Sequence, residues 1–184
     1  MRCFGGKNKR SQGFTIVELL IVIVVIGILA AITIIAFNGV QQRSKNTQTI
    51  NAIASYVKLL SLYKVDEGTH PQVYDVCLGE GYPGGQCRGG WNEDGDGINS
   101  VHLADYLDGS PPKPDMTPMQ YSAGMTFAGA WYTYASSSYN LSGGGIGVMM
   151  LGSSSCPSIS GTSYVSTTAT SDGKGRLCRY AVND

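Results

Sequence analysis

Glu18 is the one ionisable residue within a long apolar stretch of this chain. Residues 13–37 read GFTIVELLIVIVVIGILAAITIIAF, and the 19 residues from Leu19 to Phe37 cannot ionise. As a helix, that run spans roughly 28 Å, which is enough to cross the hydrocarbon core of a bilayer. A carboxylate at the edge of such a segment is costly unless it has a partner. The first chemical question is therefore what Glu18 pairs with.

The residues on either side of Glu18 match a known processing site. GFTIVELL at 13–20 resembles the prepilin peptidase site of type IV pilins and of type II secretion pseudopilins, and the similarity continues through GILAAI at 27–32. The resemblance implies cleavage after Gly13 and methylation of the new N-terminus at Phe14. It also implies that Glu18 pairs with the Phe14 amine of a neighbouring subunit, which selects incoming subunits and fixes their register.

Simpler interpretations of this N-terminal region remain open. Glu18 could pair with the amine of its own chain, or it could reach the lipid headgroups as an interfacial carboxylate. An ordinary signal peptide would have a shorter apolar core that ends in a small residue, whereas here Gly13 precedes a longer one. A plain transmembrane anchor would account for neither Gly13-Phe14 nor Glu18.

The charge distribution indicates membrane orientation. Four of the 13 Lys and Arg residues precede the apolar run, at positions 2, 7, 9 and 10. By the positive-inside tendency they keep the N-terminus cytoplasmic, so the region after Phe37 lies outside the cell membrane. Beyond Gly13 the nine remaining cationic residues face all 13 acidic ones. This balance gives no indication of specific nucleic-acid binding.

Four of the five cysteines lie in the region that should be exported. They are Cys77, Cys87, Cys156 and Cys178, whereas Cys3 lies in the leader. An even number of cysteines in an oxidising compartment favours disulfides, and closing short loops costs the least entropy. We therefore expect Cys77–Cys87 and Cys156–Cys178. A zinc site is the weaker alternative because no pair has C-x-x-C spacing.

A short acidic stretch is a candidate calcium loop. Asn92, Asp94 and Asp96 place oxygen side chains at alternate positions before Gly97, as at the start of a D-x-D-x-D-G loop. The twelfth position from Asn92 is Leu103, where such a loop needs a bidentate Glu. A solvated Asp-Gly turn is the competing interpretation. Apart from this possible calcium ion, the sequence indicates no cofactor.

The fold class expected from these patterns is α+β. The apolar segment 14–37 should continue into an amphipathic helix over 38–65, because apolar residues recur at helical spacing between Ile50 and Leu60. Residues 66–184 form the globular domain after the leader 1–13 and the helix. Its period-two and aromatic runs predict strands at 119–127, 130–135, 146–151, 164–168 and 176–182. An antiparallel sheet packed on the amphipathic helix is also the pilin architecture that the resemblance implies.

The function that the resemblance implies is structural. The chain would be processed by prepilin peptidase, held in the inner or cytoplasmic membrane among lipids, and then polymerised with copies of itself by membrane assembly machinery. The product would be an extracellular type IV pilus serving adhesion, motility or DNA uptake. The alternative is a pseudopilin or minor pilin of a type II secretion or competence system. No catalytic grouping stands out, so we do not expect an enzyme.

The processing site gives the first testable prediction. The mature protein should begin at Phe14, with a methylated amine, because Gly13 supplies the small residue that the peptidase requires before the cut. Gly13→Val should leave uncut precursor in the membrane, whereas Gly13→Ala, the more conservative change, serves as the matched control. N-terminal sequencing and mass spectrometry of the membrane fraction measure this. A mature start near Ala31, or an intact Met1, would contradict it.

Overall fold

The computed structural model describes residues 13–89, 103–135 and 143–183. Within these ranges it has one α-helix, a short β-strand, two single 3-10 turns and six further strands. The elements are α1 (Ile16–Glu67), β1 (Val76–Cys77), β2 (Met119–Ser122), β3 (Met125–Phe127), β4 (Ala130–Tyr134), β5 (Gly144–Leu151), β6 (Thr162–Ala169) and β7 (Gly175–Val182).

Contacts divide the chain into two compact units, and the division falls between Val40 and Gln41. The first unit is helical from Ile16 onward, and every residue from Gly13 to Ile34 is exposed. Within the described residues, α1 is the one helix long and apolar enough to cross a membrane.

The second unit is built around a five-stranded antiparallel sheet with the strand order β1-β4-β5-β7-β6. One face of the sheet packs on the apolar face of α1, which the spacing between Ile50 and Leu60 predicts. From the helix, Ile53, Tyr56 and Leu60 are fully buried in this core. The sheet contributes its alternate residues Tyr132, Ile146, Val148, Met150 and Tyr180. The α+β fold class and the antiparallel sheet are therefore confirmed.

Polar side chains also hold the helix to the sheet unit. The Asn46 side chain donates from Nδ2 to the Leu151 carbonyl (2.9 Å) and accepts at Oδ1 from the Leu151 N–H (3.0 Å). It therefore satisfies the backbone of Leu151 as a neighbouring strand would. Thr49 Oγ1 accepts from the Asp115 N–H at 2.9 Å, and Gln48 Nε2 donates to the Lys113 carbonyl at 3.0 Å.

The opposite face of the sheet is covered by a hairpin, and here the strand prediction was wrong. Residues 119–127 do not form one strand, because Gly124 adopts φ +80° and reverses the chain between β2 and β3. In the covering layer, Tyr121 stacks on Phe127 with ring centroids 4.7 Å apart, and Phe127 meets Trp131 edge to face at 5.3 Å.

A carboxylate ties this hairpin to the β6–β7 turn. Asp172 accepts hydrogen bonds from the backbone N–H groups of Gln120 (2.9 Å) and Lys174 (3.0 Å). Mainly because of these two donors, the pKa of Asp172 falls to about 2.

One predicted boundary was wrong by two residues. The helix does not end near residue 65 but continues to Glu67, where Gly68 ends it with φ +76° and donates its N–H to the Lys64 carbonyl at 2.9 Å. The sequence also predicts a short helix over residues 101–107, and the described part of that segment contains a 3-10 turn at Ala104–Tyr106.

Both disulfides join the cysteines that are nearest in sequence. Cys77–Cys87 links β1 to the loop after it, and Cys156–Cys178 links the segment after β5 to β7. Their sequence separations are 10 and 22 residues. Cys178 is fully buried in the core between helix and sheet, so the second bridge fixes the 152–161 segment to the centre of the fold.

Opening the Cys156–Cys178 bridge should destabilise this unit. By chain entropy, a closure of this length contributes about 3 kcal/mol to the free energy of unfolding. Denaturant unfolding of the full chain in detergent, comparing wild type with the Cys156→Ala/Cys178→Ala double variant, measures the effect. Peptide mapping without reduction checks the pairing itself. A change within about 0.5 kcal/mol, the usual range for surface substitutions, would contradict the prediction.

Candidate functional site

The candidate site is the start of α1, where the predicted cleavage point and Glu18 lie within six residues. Gly13, Phe14 and Glu18 are all exposed, and α1 begins at Ile16. The peptide bond after Gly13 therefore lies in the non-helical residues that precede the helix. Such a segment is accessible to a peptidase without unwinding the helix.

The Glu18 carboxylate has a local partner in the isolated chain. Its Oε2 accepts from the Thr15 backbone N–H and from Thr15 Oγ1, both at 2.8 Å, and the Glu18 N–H donates to Thr15 Oγ1 at 3.2 Å. This reciprocal pattern is a capping box, in which the N-cap Thr and the Glu three residues later satisfy each other's backbone donors. Both bonds to the carboxylate use Oε2, and Oε1 takes no part in the box.

Sequence reasoning missed this cap although its signal was present. Thr15-Ile16-Val17-Glu18 fits the S/T-x-x-E pattern that precedes an apolar run. The cap also gives Glu18 a second role, as a group that stabilises the start of the helix. Any role in assembly must therefore use Oε1, or must take Oε2 away from Thr15.

The apolar segment that follows Glu18 has no partner in the isolated chain. Every residue from Leu19 to Ile34 is exposed, and the large ones between Leu19 and Leu29 are each about half or more exposed. Thr33, the one hydroxyl residue between Leu19 and Ile34, donates to the Ala30 carbonyl at 3.0 Å within its own helix. A surface of this kind needs lipid or protein around it.

The other predicted site residues lie elsewhere. The four cysteines are in the second unit, in the disulfides described above. Asn92, Asp94 and Asp96 lie outside the described residues, so the candidate calcium loop stays a prediction. Over 13–89, 103–135 and 143–183, no group of three or more His, Cys, Asp or Glu residues could hold a metal ion.

Comparison with known families matches the N-terminal region. The family described as the prokaryotic N-terminal methylation motif matches residues 8–34, which include the cleavage point, the capping box and most of the apolar segment. The chain is similar to type IV pilin-like prepilins.

Several relatives of this chain are named type II secretion system core protein G. The one from Pectobacterium carotovorum is 29% identical over 68 residues, which are 37% of this chain and 44% of the relative. The one from Pseudomonas aeruginosa is 28% identical over 119 residues, 64% of this chain and 77% of the relative. The one from Escherichia coli is 29% identical over 64 residues.

The matches cover only part of each relative. This chain spans less than half the length of the first relatives it matches. No solved structure matches it significantly. The family model, which matches residues 8–34, characterises the N-terminal helix and does not extend into the sheet unit.

The capping box gives a prediction about the helix start. Thr15→Val keeps the size of the side chain but removes Oγ1, so the Glu18 N–H loses its acceptor, and N-cap losses of this kind cost about 1 kcal/mol. The Glu18 amide should then exchange its hydrogen about fivefold faster in the detergent-solubilised full chain, whereas Thr15→Ser should behave as wild type. Equal exchange in both variants would contradict the cap.

Proposed function

We propose that this chain is a structural subunit of a type IV pilin-like filament. In this proposal prepilin peptidase removes residues 1–13. The processed chain stays anchored in the membrane, with its N-terminus at the cytoplasmic side, until it is assembled. Assembly machinery then polymerises it with copies of itself through the apolar helix. The sheet unit is carried on the outside, and the product is an extracellular filament.

The observation that carries the proposal is the apolar segment of α1 together with its single carboxylate. Over Leu19–Ile34 the helix is apolar and exposed on all sides. Lipid can cover this surface before assembly, and the helices of other copies can cover it afterwards. In lipid, helices associate through packing and hydrogen bonds, because there is no hydrophobic driving force between apolar surfaces. Apolar packing alone leaves the axial position of each helix weakly defined.

Glu18 can fix the axial position of each helix relative to its neighbours. Cleavage after Gly13 creates an ammonium group on Phe14, which is otherwise costly to keep in an apolar environment. When the Phe14 amine of one copy meets the Glu18 carboxylate of the next, both charges are compensated. The pair adds little net stability, because desolvation cancels much of the Coulomb attraction. A wrong register leaves two uncompensated charges, so the pair selects one axial step.

A surface pilus and a secretion pseudopilus are two forms of this proposal. We favour a pilus subunit, which would serve adhesion, motility or DNA uptake. The names of the relatives favour the second form, a pseudopilin of a type II secretion system. Electron microscopy of cells with and without the gene, together with the profile of secreted proteins, separates them. Loss of surface filaments with normal secretion supports the pilus, and the reverse result supports the pseudopilin.

The role that we propose is structural in both forms, with no catalysis and no required cofactor. Calcium at Asn92, Asp94 and Asp96 would be a stabilising addition to the sheet unit. Calcium titration of the purified full chain, followed by thermal unfolding, tests for it.

The charge of Glu18 can be separated from its capping role. Glu18→Gln removes the charge but can still fill the N3 position of a capping box. We predict a processed, membrane-held and folded protein that makes few or no filaments, because the Phe14 amine of the next copy has lost its counter-charge. Filament yield by electron microscopy and shearing is the measurement, and Thr15→Val, which keeps the charge, is the matched control.

The opposite pattern would refute the register role. If Glu18→Gln gives a normal filament yield and Thr15→Val does not, Glu18 acts only as a helix cap. Mixing variant with wild-type chains separates pairing between copies from pairing within one chain. Pairing between copies predicts that Glu18→Gln chains enter filaments poorly or stop their growth, beyond their share of the mixture.

A further inference from the structure

The second unit has an apolar groove that nothing in the described chain fills. One wall is the part of α1 that includes Ala54, Ser61, Leu62 and Val65, and the other is the turn before β6. The groove has a volume of about 480 Å³, within the range of clefts that bind partners or ligands. Leu62 is 52% exposed and Val65 is 80% exposed. Leu62 and Val65 lie beside the face of α1 that packs on the sheet.

The turn that forms the second wall is fixed in place. Ile159 is buried in the core, and the Gly161 carbonyl accepts from the Asn183 N–H at 3.0 Å. Gly161 adopts φ +77°, and a Cβ on it would lie 2.6 Å from Val57 Cγ1. The turn therefore approaches the helix as closely as it does only because residue 161 is glycine. The groove is already formed before any partner arrives.

The groove has the shape and chemistry of a helix-binding site. Between residues 54 and 65 it follows three turns of α1, or about 17 Å. Ala54, Ser61 and Gly161 are small, which lets another backbone come close. Lys58 is the one charged residue in its lining, and its methylene stem can lie along an apolar partner while the ammonium stays in water.

We propose that this groove receives the apolar helix, residues 19–34, of a second copy of the chain. Each copy carries one unfilled groove and one apolar helix with no protein partner. Because the two surfaces differ, pairing them is heterologous and continues from copy to copy instead of closing as a two-fold dimer. The inference rests on the proposed filament and names the surface of the sheet unit that each incoming helix contacts.

Cross-linking between two differently tagged copies in assembled filaments tests the contact. One copy carries Leu62→Cys, and the other carries a single cysteine at each position from 20 to 34 in turn. The four cysteines after Gly13 are in disulfides, so a short thiol-specific cross-linker reacts with the introduced residues. We expect covalent mixed dimers at positions that repeat every three or four residues, on the side of the helix that faces the groove.

Tyr74→Cys is the matched control, because Tyr74 is an apolar side chain that is 65% exposed and lies outside the groove lining. Filaments in which Leu62→Cys cross-links no better than Tyr74→Cys would overturn the groove contact and leave the proposed function intact. Failure of the wild-type chain to form any polymer would overturn both.

A second measurement uses charge. Leu62→Lys/Val65→Lys should leave a folded and processed protein, since both side chains are exposed, but should reduce filament yield much more than Tyr74→Lys. Equal yields from the two variants would also overturn the contact.

Discussion

One constraint governs the N-terminal half of α1: a carboxylate at the edge of an uncharged apolar segment must be compensated. In the isolated chain Thr15 compensates Glu18 by forming a capping box. That arrangement serves a helix end in water or at a membrane surface. It does not neutralise the charge, so a segment drawn further into an apolar environment still needs a cation. The Phe14 amine, once it is released, is the nearest candidate in sequence.

The helix α1 serves different partners along its length. After Glu18 its first part exposes an almost wholly apolar surface, and its later part packs on the sheet through Ile53, Tyr56 and Leu60. Between them, polar side chains such as Asn46 fix the helix to the end of β5. In the proposed assembly, the first part of α1 leaves lipid and becomes surrounded by protein. The second unit must keep the same fold throughout this change. Two disulfides and a buried helix–sheet core provide this stability.

Much of the fold could be predicted because its signals are local. The apolar run, the helical spacing after Ile50 and the β-prone segments all depend on near neighbours, and the disulfide pairs in the structure are those that loop entropy favours. The hairpin at 119–127 was missed because Gly124 fits a period of two as well as it fits a turn. The capping box at Thr15 was also predictable, because Thr15 and Glu18 have the S/T-x-x-E spacing. The hydrogen bonds of Asn46 could not be predicted from the sequence, because its partner Leu151 is 105 residues away.

The most direct test of the central claim is the structure of the assembled filament at side-chain resolution by cryo-electron microscopy. The decisive measurement is the distance from the Phe14 nitrogen of one subunit to the Glu18 carboxylate oxygens of the next. The account predicts a direct contact at about 2.7–2.9 Å, as in charge-assisted hydrogen bonds. A filament in which every Glu18 stays bonded to its own Thr15, with no amine of another subunit within reach, would contradict it.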